Sequence, residues 1–434
     1  MIKNITNYIK SKGIKEYELF YDSSDNISVI LNRGKIDFAS EGKVEGLGVR
    51  VAVGKKLGFS NTLDIKHYKK CVDEAIKIAK LNNQDNKFKS FNTVNGKRRN
   101  SLGADKKMLD FGLDNINKYI KHYIENIKNK DEEIVITSGS FVKNTSKTLI
   151  VNSEGVDAEK NSCSNMFWAE LIKEKGNTLG FSDQSRLPLN PKKAEEHAER
   201  FLNTRNKDIP DTKNICLVLH PEALAELIDN SLGFAISSEN VQAGKSVLAG
   251  KLGERIFDKR ITIVDDSTSG NLLCSRPFDD EGVPSMKTVI AENGVLKNYL
   301  YDSYHANVDG KKSTSSAVRS YNSLPEISFS NLLIKKGNKS KNSILNSVDK
   351  CIYVKQLMGA HAMDATTGNF SLSVLEGHIY NKGEMQHPVK DTMIAGNFYN
   401  LLNSVLAVGN KLMHAGSGFY LPVILCDKVK VIGK

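Results

Sequence analysis

A chain of 434 residues exceeds the roughly 250–300 at which one hydrophobic core stops growing, so two domains are expected. With 40 % apolar and 26 % charged residues, its composition excludes a disordered chain. The net charge of +11 comes without a basic run or aromatics interleaved among lysines, which argues against a nucleic-acid surface and for lysines spread over solvated faces.

The opening stretch, "MIKNITNYIKSKGIKEYELF", has no apolar h-region and no small-residue cleavage site, so no signal peptide is expected. Apolar runs such as "ICLVL" are far too short for a membrane span. Cys71, Cys163, Cys216, Cys274, Cys351 and Cys426 are scattered without a C-x-x-C pair. That pattern suits reduced thiols, and the expected location is cytoplasmic.

In chain order, a helix is expected over about 2–12, then two alternating strands in "YELFYDS" and "NISVILNRGKIDFAS". "GLGVRVAVGKKLGFSN" reads as two strands joined by a glycine turn, and Asp64–Leu81 as a helix with an apolar stripe from Ile65 to Ala79. The polar stretch Gln84–Lys107 reads as a long loop. A helix follows over Met108–Lys128, and two strand pairs reach Phe181. After the charged helix "KKAEEHAERFLNTR", the connector "NKDIPDTKN" sets an expected boundary near residue 210, giving domains 1–210 and 211–434. "ICLVLH" is a buried-type strand, and "PEALAELIDNSLGFAI" one amphipathic helix burying Leu224, Leu227, Ile228, Leu232 and Ala235. Strands then dominate, broken by a helix over Phe398–Ala407. The fold class expected is α+β, with an α+β N-terminal domain and a strand-rich, mainly antiparallel C-terminal domain.

Chemical motifs are sparse. Neither G-x-x-x-x-G-K-[ST] nor G-x-G-x-x-G occurs, and no G-x-S-x-G elbow. Cys216 and Cys426 sit in apolar strand runs, as small core residues do. His361, Asp364, His378, Glu384 and His387 form the densest group of metal-ligand types. However, His378 and Glu384 flank a hairpin turn and should face solvent, and His387 precedes a proline in a loop. Glu222 and Glu226, four apart on a helix, read as solvated glutamates rather than a paired-carboxylate site.

Several stretches in order resemble the TldD/PmbA family, also called modulators of DNA gyrase. They include "ELIDNSLGFAI", "SVLAGKLGERI", "RPFDDEGVPSMKTVIAENGVLKNYLYDSYHA" and "QLMGAHAMDATTGNFSLSVLEGHIYNKGEMQHPVKDTMIAGN". "ISVILNRGKIDFASEGKVEGLGVRV" and "LIVNSEGVDAEK" resemble its N-terminal elements. The resemblance implies a dimeric metallopeptidase acting on unfolded or extended peptides. One branch of the family carries His-Glu-x-x-x-His on the helix corresponding to 221–236, with a cysteine as third zinc ligand. Histidines five apart lie about 140° apart around an ideal helix, so they converge only if the helix is distorted. Here those positions hold Asp229, Asn230 and Phe234, the cysteine position maps to about Val408, and Gly233 is kept. The chain therefore resembles the PmbA (TldE) branch. That implies no metal or cofactor in this chain, zinc in a TldD-like partner, and pairing with that partner or with itself. Phe278, Asp279, Glu281, Gly282, His361, Thr366, Gly368, Asn369 and Phe370 are the expected peptide-cavity residues. The alternatives are an active metal-dependent peptidase on the His361–His387 group, or a gyrase-associated regulator.

Overall fold

The computed structural model describes residues 1–93, 96–100 (backbone only), 108, 110–173, 178–204, 207–270 and 272–434. The first part of the chain builds a sheet of long strands: β1 (Glu16–Asn32), β2 (Lys35–Val53), β3 (Lys56–Thr62), β4 (Gly96–Asn100), β5 (Val135–Asn152), β6 (Val156–Ile172) and β7 (Thr178–Ser185). Its order is β3-β2-β1-β5-β6-β4, with β7 also on β6. The two strands expected in 17–40 are the two ends of β1 plus the start of β2, because pairing with β2 and β5 continues through the polar centre of β1. The loop expected over 84–107 contains β4, parallel to the start of β6. Residues 101–107 of that loop lie outside the described residues.

Period-two alternation gives this sheet two different faces. On one face lie α1 (Ile2–Ser11) and α2 (Tyr68–Leu81), packing with Leu19, Val49 and Val51. Beside them, α3 (Leu113–Lys130) and α4 (Lys193–Leu202) pack with Val29, Phe141 and Phe167. The opposite face receives later parts of the chain. Phe20, Ile150, Val156 and Ala158 form a small core there with Phe278 and Tyr321. Gly46 and Gly48 leave room for Tyr321: a Cβ on Gly46 would sit 2.1 Å from its ring, and one on Gly48 2.5 Å from its carbonyl oxygen.

In the rest of the chain, strands 350–358, 213–219, 424–432, 393–397 and 369–381 pair in that order, and 369–381 pairs back onto 350–358. The five strands thus close on themselves, which removes open edges. A six-stranded sheet containing 263–266, 287–292 and 332–334 lies beside them. Most pairings are antiparallel, and the architecture is α+β, as expected. One large core joins the closed strands to α5 (Pro221–Asp229) and α6 (Leu232–Ala235).

The expected helix over 221–236 is in fact broken. Leu224, Leu227, Ile228, Leu232 and Ala235 are all 0 % exposed, yet the backbone leaves helical geometry at Ser231 (φ −129°, ψ −65°). Asn230 caps the first piece by donating from Nδ2 to the Glu226 carbonyl at 2.9 Å. The helix expected over 398–407 ends at Asn403, and Val405–Val408 is a strand.

Candidate functional site

The end of α5 overlooks a cleft of about 650 Å³ between the N-terminal sheet and the later elements. Its floor is the middle of β6, from Lys160 to Met166, extended by Gln184 and Arg186 at the end of β7. Its walls are Leu273–Pro277, Ser328–Ser330, Ser417 and Asp229. A second cleft of about 350 Å³ is lined by Asp229, Gly233, Phe234, Ser237, Glu239, Asn240 and Glu326–Phe329.

Buried polar contacts fix these walls. Asp265 accepts from the Ser330 N–H at 2.8 Å and from its hydroxyl at 2.7 Å. Burial pushes the Asp265 carboxyl up to about 6. Asn331 ties the two wall segments together: its Oδ1 accepts from Cys274 N–H and its Nδ2 donates to Ser275 Oγ. Gln184 accepts from the Ser417 N–H at 3.0 Å, joining β7 to the far wall. Arg186 donates to the Leu272 carbonyl at 3.3 Å and Arg276 to the Ser315 carbonyl at 2.9 Å.

The helix that presents Asp229 is held at its start by charge. Arg200 on α4 donates to both carboxylate oxygens of Glu222 at 2.8 Å and to Glu376 at 2.7 Å, and Lys355 donates to Glu376 at 2.7 Å. The guanidinium holds Glu222 down at about 2 despite its burial. Glu222 is therefore not the solvated glutamate expected from sequence. Glu226 also departs from that expectation, since burial raises it to about 7. Asp229 is open to both clefts, and the surrounding walls raise its pKa by desolvation.

The sequence-predicted residues fall into three places. Phe278, Asp279, Glu281 and Gly282 are buried in the joint between the sheet and the later elements and line neither cleft. Asp279 accepts N–H groups of Glu281, Val283 and Ala317, Glu281 accepts that of Ser303, and Gly282 has φ +80°. His361, Thr366 and Asn369 are exposed on a separate turn where Asp364 is held by the Thr366 and Thr367 hydroxyls. Gly368 (φ +78°) and Phe370 are buried beneath that turn. Val408 is buried in a strand opposite Ile424; the chain reaches the cleft further on, at Ser417.

The His361–His387 group does not converge. His378 is 2 % exposed, not solvent-facing, because its Nε2 meets the Asn203 carbonyl at 3.1 Å under the end of α4. His387 lies in strand Glu384–Pro388, not a loop. It pairs opposite Ile379, so its side chain points to the other face from His378. Among the described residues, no group of three or more His, Cys, Asp or Glu side chains could hold a metal ion. Arg186, Arg276, Gln184 and Phe329 were not singled out from sequence; single residues in loops or at a strand end carry no spacing signal.

A sequence profile described as "PmbA/TldA metallopeptidase C-terminal domain" matches residues 212–433, and "PmbA/TldA metallopeptidase domain 1" matches 17–79. The chain belongs to the TldD/PmbA family. A protein of Methanocaldococcus jannaschii described as uncharacterized is 33 % identical over 91 % of this chain and 92 % of that one. A Haemophilus influenzae relative named metalloprotease PmbA homolog is 25 % identical over 92 % and 87 %, and the same organism has one named metalloprotease TldD homolog, 24 % identical over 94 % and 88 %. The crystal structure of TldE from Thermococcus kodakarensis superposes with a TM-score of 0.92 at 27 % identity, covering all of both chains. Among the described residues, no helix is long and apolar enough to cross a membrane.

Proposed function

We propose that this chain is the PmbA/TldE-type subunit of a two-chain TldD/PmbA peptidase that acts on extended peptides. In this reading it supplies binding surface, and a TldD-like companion supplies the zinc chemistry. The observation that carries it is the donor set at the broken helix. Asp229 is one carboxylate, Asn230 spends its amide on the Glu226 carbonyl, and Phe234 has no donor atom. Catalytic zinc needs three protein ligands, so this set does not fit the ion. The cleft beside Asp229 supports a binding role, since an extended chain could lie along segment Glu326–Ser330 and be held by main-chain hydrogen bonds. The presence of both TldD- and PmbA-named relatives in Haemophilus influenzae supports pairing.

The second reading, hydrolysis at the His361–His387 group, is disfavoured by the opposed directions of His378 and His387. Co-expression with a TldD-like chain tests the proposal. Casein hydrolysis is expected from the mixed complex and not from this chain alone. Stoichiometric zinc with peptidase activity in this chain by itself would overturn it.

A further inference from the structure

Asp229, Ser328 and Phe329 line both clefts, so the two spaces form one groove, and its floor runs on past the cleft edge. Strand register carries it across the N-terminal sheet. Met166 lies opposite Gln184 and Val142, Val142 opposite Ser28, and Ser28 opposite Ser40. The next row outward is Phe38, Ile30, Ser140, Trp168 and Ser182. Two further rows on the inner side, ending at Ser24 and Ser146, hold only Ser, Asn, Gly and Val. None of the residues in these four rows is buried.

The rows are also without charge. No Asp, Glu, Lys or Arg stands in them, although 26 % of the chain is charged and a solvated surface carries about 25–35 % of such residues. The absence belongs to this face alone: alternate positions of the same strands put Asp25, Glu41, Lys43 and Lys147 on the other one. Charge returns only at the two ends, with Lys35 and Glu170 beyond Ile30, and with Asp22 and Lys160 in the row that meets the joint, where Lys160 pairs with Asp280. In place of charge the outer rows expose large apolar groups. Phe38 is 57 % exposed, Ile30 43 %, and Met166 and Trp168 37 % each. Charge depletion around aromatic and methionine side chains is the composition of an interface centre, not of a solvated sheet face.

We propose that this uncharged half-face is where the TldD-like companion docks. This rests on the two-chain reading above and adds the surface through which the chains meet. Its size fits a protein and not a peptide. Four rows on four to five strands, at about 4.8 Å between strands and about 6.8 Å between rows, span roughly 600 Å². Each partner gives about 800 Å² to a standard interface, whereas an extended peptide covers little more than one strand's width. Continuity with the groove favours the companion over a second copy of this chain. The rows include Ser162, Ser164, Met166 and Gln184 of the cleft floor, so a chain seated on them stands beside any peptide held in the groove. A companion with its own metal ligands can act on that peptide. A second copy, carrying Asp229, Asn230 and Phe234, cannot.

Hydroxyl-radical footprinting and affinity measurements on the full chain, with and without a TldD-like companion, test this. Phe38, Met166 and Trp168 should be labelled in the free chain and protected in the complex. The Phe38→Asp, Trp168→Asp double variant should weaken the companion's affinity at least about tenfold, since each carboxylate would lose its water without gaining a partner. Leu81→Asp places the same charge at an exposed position of α2, on the other side of the sheet, and should bind within about twofold of the parent. Thermal melts matched to the parent show that the variants are folded, and the footprint needs no variant at all. If the complex forms and cleaves casein while these side chains stay labelled, or while the double variant binds like the parent, the docking face is wrong and the two-chain reading stands. If the same side chains are protected in this chain alone, with a dimer mass by sedimentation, a second copy holds the face and the proposal falls. If no complex forms and casein is not cleaved, the two-chain reading falls and this inference with it.

Discussion

Arg319 is 2 % exposed at its side chain and joins the two parts of the molecule through one carboxylate. Its Nη1 donates to Glu18 Oε1 at 2.6 Å, its backbone N–H donates to Asp280, and its guanidinium lies 4.5 Å from the Phe20 ring centroid. Arg50 shares the same Glu18 oxygen at 3.1 Å. Removing Arg319 leaves Glu18 with Arg50 as its remaining ion partner, so Arg319→Met should cost less than the about 3–5 kcal/mol of a fully stranded buried charge. Combining it with Glu18→Gln should cost less than the sum of the two single changes, with a coupling of about 1–3 kcal/mol. Denaturation of the four chains of that cycle measures it, and strict additivity would show that the ion pair does not hold the joint. The motif around 278–282 was legible as unusual: acidic residues beside a glycine and an aromatic. What it serves was not legible. Such residues satisfy buried N–H groups in a packed joint as readily as they line a cavity, and only the partners Ala317, Ser303 and Phe20 decide between the two.

At the scale of the element, α5 is the part on which the proposed function turns. Its N-cap is His220, whose Nδ1 accepts the Glu222 N–H at 3.3 Å, followed by Pro221 in the first turn. Accepting requires a neutral ring, and burial together with Arg200 and Lys355 outweighs Glu222 and Glu376 to hold His220 at about 4. The folded value lies below the unfolded one, so the unfolded chain binds more protons between the two. Stability should be full above about pH 6.5 and fall as pH drops toward about 4. His220→Asn keeps an acceptor without the titration. Thermal melts from pH 7 to pH 4 should show a flatter profile for that variant, and parallel profiles would refute the assignment. The apolar stripe of this segment was readable because every third or fourth side chain is buried. Its break was not, because the stripe continues in phase from Ile228 to Leu232 while the backbone departs at Ser231. Asn230 bonds its own helix through Nδ2 to the Glu226 carbonyl, and here that local competition prevailed over periodicity. His378 misled for the opposite reason. Its place near a hairpin turn suggested exposure, but α4, nearly two hundred residues earlier in the chain, covers it.

For the whole molecule, the groove exists only because later elements sit on half of one sheet face. Phe278 and Tyr321 cover Phe20, Gly46, Gly48 and Ile150, while the next stretch of β6, from Lys160 to Met166, stays open as the cleft floor. Strand alternation made both faces of this sheet readable, but no local pattern says which half of a face will be covered. Gly48 tests that contact. A Cβ there would lie 2.5 Å from the Tyr321 carbonyl oxygen and 3.3 Å from the Phe59 ring. The first neighbour is backbone and cannot rotate aside, so Gly48→Ala must push the two layers apart, at about 1–3 kcal/mol for overpacking. The helices on the far face and the closed strands of 213–432 have their own cores and should survive it. The expected result is a melt that separates into two transitions, earlier cleavage by a broad-specificity protease, and weaker peptide binding with each part still folded. A single transition at the parent temperature would mean that Tyr321 can retreat without loosening the joint. The groove would then owe its shape to the ties at Gln184 and Asn331 instead.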